Sequence, residues 1–346
     1  MAKKYGKEEK KLDYVAELKA LKAQGPGNLY LMYGPEDYLR EQFLTELKKL
    51  CLPDGEDGFS FKRFDGPELE PAELEQAIDA VPFMTERSFV ELRDVNINKL
   101  GDPEHFVKII SDIPDYCTVA FVQSSSFEPD NRLKFMKALR EKAHCMDFVQ
   151  QSQGQLFSWI NRRFEALGKS IDMEAIQRLI FVSGDLMNHL IPEIEKIAAY
   201  VKGSRVTAAD VEAVAHHIPD ADVFAITDSI SQKNYEKAFG ILAELLGDKG
   251  NEPIMILAVL GAQMRKLYAA KVAAEQGVSI AELSKGLNIK FEFIARNLVG
   301  SAKGYTVKQL ARAVELCAEA DSLMKTGAVD SREYLKELVV RIAAGE

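Results

Sequence analysis

Cysteine is scarce in this chain, and none of it is paired. Cys51, Cys117, Cys145 and Cys317 form no CxxC and no close pair, which excludes a disulfide framework and a structural zinc site of ordinary spacing. His144-Cys145 offers two adjacent metal ligands with no second close pair to complete a site, so the cysteines read as small core residues. Long apolar runs are missing as well. The longest, Ile254 to Ala262, is far short of a membrane span. The opening MAKKYGKEEKKL mixes both charges and lacks the apolar core of a signal peptide, so a cytoplasmic protein with no membrane partner is expected. Positive charge is in deficit: 44 Lys and Arg face 53 Asp and Glu, a net charge of −9. No overall basic footprint for nucleic acid exists, and the basic pairs Lys10-Lys11, Lys48-Lys49, Arg162-Arg163 and Arg265-Lys266 read as solvated helix faces.

Hydrolytic signatures are absent too. There is no GxSxG, no HExxH and no clustered His/Asp/Glu set. The only histidine pair, His216-His217, precedes Ile218-Pro219 and reads as a loop boundary. Glu8-Glu9 and Glu91 read as solvated surface charges.

What is present is a change of pattern near residue 150. Before it, strand-like runs at 29–33, 59–64, 88–92, 118–123 and 145–149 alternate with helical runs at 13–23, 37–50, 72–80, 106–113 and 132–142. That alternation predicts a largely parallel sheet covered on both faces. After it the sequence reads as almost pure helix, first at 154–167, 173–182, 187–201 and 208–215. Asp172 and Thr207 stand as N-caps, the latter with Asp210 three residues on. A second helical block follows at 223–231, 235–246, 253–276, 280–286, 290–300, 307–325 and 331–344, with the short polar connections of a bundle. With 346 residues, 47% of them hydrophobic, the chain can bury more than one core. The expected organisation is an α/β domain over 1–149, a small helical domain over 150–215 and an all-α domain over 216–346.

One segment has the setting of a nucleotide site without its chemistry. Leu29 to Gly34, LYLMYG, is a buried strand ending in a glycine turn, and Pro35-Glu36-Asp37-Tyr38 opens an amphipathic helix. A P-loop in that setting needs a lysine for the β- and γ-phosphates and a Ser or Thr for Mg²⁺. Here Gly34, Pro35, Glu36 and Asp37 form a degenerate phosphate loop whose two carboxylates suit a helix N-terminus but repel a triphosphate. No GxxxxGK[ST] occurs elsewhere, and TVAFVQSSSF lacks the acidic pair that would position Mg²⁺ and water. Gly184-Asp185-Leu186-Met187 stands where ATP-using relatives of such an architecture often carry Gly-x-x-Arg. No cofactor is therefore expected, and no catalytic or metal-binding residue is assigned.

A second segment breaks the rule that connections are polar. Asp79 to Arg87 joins a helix to the strand SFVEL, yet carries Val81, Pro82, Phe83 and Met84 in succession. Such a run either tucks under the sheet edge or presents a plug to a partner, since aromatic and Met side chains dominate interface hot spots.

Together these segments resemble the delta subunit family of the bacterial DNA polymerase III clamp loader. The resemblance runs through LYLMYGPEDYLREQ, VPFMTERSFVEL, GDLMNHLIPEIEKIAAYV with VTAADVEAV, DADVFAITDSI with KAFGILAELL and PIMILAVLGAQMRKLY, and AEADSLMKTGAVDSREYLKELVVRI, in that order along nearly the whole chain. It implies a degenerate ATPase-like (AAA+-type) domain that binds no ATP, a helical lid and a C-terminal collar that joins the other loader subunits. It also implies a non-catalytic protein of DNA replication that opens the sliding clamp (beta subunit) by inserting an apolar tip. That tip falls on Pro82, Phe83 and Met84, although family members often present a Leu-Phe or Phe-Phe pair there. Implied partners are the clamp, gamma/tau and delta-prime subunits, and primed DNA through the assembled loader. The alternatives are another loader subunit of delta-prime or gamma/tau type, or an active AAA+-type hydrolase. The former usually carry a four-cysteine zinc module and a Ser-Arg-Cys finger, and neither is found in this sequence.

Overall fold

The computed structural model describes residues 12–53, 55, 60–82, 85–248 and 250–345. The chain divides into two units, one of residues 1–151 with 186–188, the other of residues 152–185 and 189–346.

In the first unit, β1 (Leu29–Tyr33), β2 (Phe61–Asp65), β3 (Ser88–Arg93), β4 (Cys117–Val122) and β5 (His144–Asp147) form one parallel sheet in the order β2-β3-β4-β1-β5. Every residue of β1 and β4 is buried, as expected of central parallel strands covered on both faces. The helices are α1 (Tyr14–Gln24), α2 (Asp37–Cys51), α3 (Pro71–Asp79), α4 (Pro103–Ile109) and α5 (Lys134–Lys142). Leu39, Phe43, Leu47 and Cys51 repeat at helical spacing on α2 and form part of its buried face. Leu31, Leu92, Phe106, Phe121 and Phe135 share a core cluster. There the Phe135 ring meets the Phe106 and Phe121 rings edge-on, each at 5.9 Å between centroids. Each such ring contributes about 2–3 kcal/mol by burial.

The sheet also corrects two surface readings. Glu91 lies in the middle of β3 with no exposed surface and receives Lys48 of α2 at 2.5 Å. Arg93 Nε also donates to Glu91, and its two terminal nitrogens donate to Glu41 at 2.8 and 2.6 Å. Neither Lys48 nor Glu91 is a solvated charge, because a middle strand of a covered sheet has no side open to water. Burial alone would raise the Glu41 carboxyl, but the Arg93 hydrogen bonds and charge hold it below the usual carboxylate range.

The second unit contains α6 (Gln153–Ala166), β6 (Ser170–Ile171), α7 (Met173–Ser183), α8 (Met187–Tyr200, from His189 onward), β7 (Arg205–Val206) and α9 (Ala208–Val214). The two short strands pair in parallel, so this group is not wholly helical as its sequence suggests. Thr207 and Asp210 make the expected capping box at α9. Asp172 does not cap α7, because its carboxylate is engaged by Arg205 at 2.8 Å.

The unit continues as α10 (Pro219–Ser231), α11 (Tyr235–Gly247), α12 (Pro253–Glu275), α13 (Ile280–Gly286), α14 (Glu292–Ala302), α15 (Val307–Lys325) and α16 (Ser331–Ala344). Leu260, Met264, Leu267, Leu310, Leu316 and Leu338 lie in its core. Capping boxes at Ser279-Glu282 and Thr306-Gln309 start α13 and α15. No described helix is long and apolar enough to cross a membrane.

Candidate functional site

The turn after β1 is short. Gly34, Pro35 and Glu36 alone separate Tyr33 from the first residue of α2. A phosphate cradle is built from free backbone N–H groups, and this turn has few to give. Pro35 has no N–H, and the Glu36 N–H donates to the Phe148 carbonyl at 2.8 Å. Gly34 adopts φ +114°, and a Cβ there would lie 2.7 Å from Asp147 Oδ1 and 2.8 Å from both Phe148 N and O. The glycine is needed because the end of β5 fills the space above it, not because a ligand approaches.

Side chains occupy the rest. Arg40, 5% exposed, donates from Nη1 to the Gly34 carbonyl at 2.8 Å and from Nη2 to Asp37 at 2.5 Å. Glu36 is fully buried, and its Oε1 accepts the Met187 N–H at 3.3 Å. Residues 186–188 belong to the same unit as Glu36. The segment that offers an arginine in ATP-using relatives thus offers a main-chain N–H here, and a carboxylate receives it.

The apolar connection lies at the opposite end of the parallel strands, ahead of β3, and spans residues 80–87 between α3 and β3. Val81 is 76% exposed and Pro82 half-buried. Phe83 and Met84, the rest of the expected tip, lie outside the described residues. The flanks are tied down. Thr85 Oγ1 donates to Ser60 Oγ at 2.6 Å or to the Arg87 carbonyl at 2.9 Å, and Arg87 Nη1 donates to Thr118 Oγ1 at 3.0 Å. The Tyr116 hydroxyl donates to the Asp79 carbonyl at 3.3 Å, and the Ser88 N–H donates to the Tyr116 carbonyl at 2.8 Å. Thr85, Arg87 and Tyr116 carry no motif that singles them out in the sequence, because their partners are 25 to 37 residues away.

No group of three or more His, Cys, Asp or Glu residues able to hold a metal occurs among the described residues. His144 instead meets Glu17 at 2.9 Å. His216 and His217 do lie between helices, as expected, and His217 Nδ1 lies 3.1 Å from Asp222.

Residues 30–149 match the family model for the DNA polymerase III delta subunit, and residues 220–342 match the model for that subunit's C-terminal domain. Together they span more than two thirds of the chain. The chain belongs to the DNA polymerase III delta subunit family. It is 25% identical over 337 residues to the DNA polymerase III subunit delta of Bacillus subtilis, covering 94% of this chain and 95% of that one. A probable DNA polymerase III subunit delta of Aquifex aeolicus is 21% identical over 327 residues, 90% of each chain. Among solved structures, a Bacillus subtilis DNA clamp loader delta protein superposes with a TM-score of 0.57 at 21% identity, covering 96% of this chain and 99% of that chain.

Membership of the delta family gives the chain its role in DNA replication, as the delta component of a multi-subunit clamp loader. The first unit has the expected parallel-sheet α/β architecture, and α10 to α16 form the all-α region expected. Both candidate segments, the turn at 34–37 and the connection at 80–87, fall inside the first matched region.

Proposed function

We propose that this delta subunit binds the sliding clamp (beta subunit) and opens its ring by inserting the tip Pro82-Phe83-Met84 into an apolar clamp pocket. It hydrolyses no ATP itself. Gamma/tau and delta-prime type neighbours supply the nucleotide step, and primed DNA is reached through the assembled loader. Residues 1–149 act as the clamp-binding domain, 150–215 as the lid and 216–346 as the collar.

The observation that carries this reading is the apolar connection of residues 80–87, with Val81 exposed to solvent and both flanks bonded to the sheet. A loop so anchored presents its apex at little entropic cost. The turn at 34–36 supports the nucleotide-free half of the proposal, since the Glu36 N–H is already spent on Phe148 and the Glu36 carboxylate receives the Met187 N–H.

The test is binding of the full chain to a clamp from the same organism without nucleotide, comparing wild type with Phe83→Ala. Truncating a central aromatic anchor should cost about 2–4 kcal/mol, a loss of roughly 30- to 1,000-fold in affinity, at an unchanged melting temperature. If the folded wild type fails to bind, the proposal falls. If the variant unfolds, Phe83 is a core residue and the tip assignment falls.

A further inference from the structure

Two of the polar contacts around the connection at 80–87 meet at one residue. Tyr116, immediately before β4, reaches both ends of that connection. Its hydroxyl donates to the carbonyl of Asp79, the last residue of α3, at 3.3 Å. Its own carbonyl accepts the N–H of Ser88, the first residue of β3, at 2.8 Å. The last carbonyls of a helix lack partners within it, and the Asp79 carbonyl finds one in the Tyr116 hydroxyl. The tyrosine hydroxyl therefore caps α3 from outside, at the point where the chain leaves for the tip.

We infer that Tyr116 is a positioning residue for clamp engagement, a staple that fixes the span between the two stems of the apolar tip. The inference rests on the clamp-binding reading of residues 82–84 and adds what holds that loop ready. Arg87 reinforces the second stem through Thr118. The Tyr116–Asp79 bond is solvent-exposed and so adds little to global stability. Its effect is on the free chain, where it keeps the stems at one spacing and raises the fraction of molecules whose tip is ready to dock. Apparent affinity scales with that fraction. Loss of the hydroxyl should thus slow association and leave dissociation nearly unchanged, because the docked tip is held by the clamp itself.

The experiment uses the full chain with wild type, Tyr116→Phe and Phe83→Ala, measuring association and dissociation rates on immobilised clamp without nucleotide. Melting temperature and amide exchange at Val81, Thr85, Glu86 and Arg87 are measured on the free chain. Tyr116→Phe should associate about three- to tenfold more slowly, dissociate at the wild-type rate, melt as wild type, and exchange faster at those four amides alone. Wild-type association by Tyr116→Phe, with Phe83→Ala still defective, overturns the staple and leaves the clamp reading standing. A defect confined to dissociation, or one accompanied by faster exchange throughout the sheet, also overturns it. No clamp binding by the folded wild type overturns both.

Discussion

Glu91 and Lys48 form an ion pair in which both charges are buried, and Arg93 also donates to Glu91. Lys48 sits 2.5 Å from Glu91, with side chains 11% and 0% exposed, and the lysine also lies 4.8 Å over the Phe61 ring. Removing one partner of a buried ion pair typically costs 3–5 kcal/mol, whereas removing both can be neutral. Glu91→Gln should therefore lower the stability of the α/β unit by about 3 kcal/mol, read as a drop in the urea midpoint. The double variant Glu91→Leu with Lys48→Met should recover most of it, because Arg93 retains both bonds to Glu41. A double variant as unstable as the single one would mean that Glu91 acts through Arg93 instead. Both charges were hidden from a reading of the sequence for the same reason. SFVEL has no feature that says which face its glutamate points to once both faces are covered, and Lys48-Lys49 looks like any solvated helix pair until the packed face of α2 is known.

At the scale of elements, local chemistry set most boundaries. Thr306 and Asp330 cap their helices with bonds to residues two and three positions on, so α15 and α16 begin where their sequence signals stand. α4 begins at Pro103, not 106, because Asp102 caps it and a proline suits the first turn. That local signal outweighs the apolar period. By contrast, β6 and β7 are two residues each and exist only through pairing across some 34 positions, so no window of sequence announces them. The same pair of elements ranks two caps that look alike in sequence. Thr207 bonds the N–H of Asp210 and completes its box, whereas Asp172 is turned to Arg205, whose side chain is 71% exposed. Thr207→Ala should cost about 1 kcal/mol and Asp172→Ala under about 0.5 kcal/mol. Thermal melts of the two variants check the order, and a larger loss from Asp172→Ala would show that its link to Arg205 holds β6 against β7.

For the whole molecule the proposed function raises the question of how a ring would be opened by a subunit that hydrolyses no ATP. Opening needs only a plug that fits the open or strained interface better than the closed one, since a ligand shifts an equilibrium by its differential affinity. A near-complete switch takes about 5.5 kcal/mol of preference. One buried phenylalanine supplies about 1.5–3 kcal/mol by area, so on the proposed reading Phe83 would act together with other contacts to the clamp. On that account the energy comes from the tip, and nucleotide has nothing to add at the turn after β1. There the Glu36 N–H is spent on Phe148 and the Gly34 Cβ position is filled by the end of β5. Binding shifts stability by RT ln(1 + [L]/Kd), so ligand at 100-fold over its Kd would add about 2.7 kcal/mol and raise the melting temperature by several degrees. Millimolar Mg-ATP should leave the melting temperature of the isolated chain unchanged within a few tenths of a degree, and should leave its affinity for the clamp unchanged as well. A shift of several degrees would mean that a nucleotide enters despite the filled turn, and the account of a fuel-free opener would have to give way to one in which this chain is itself switched by ATP.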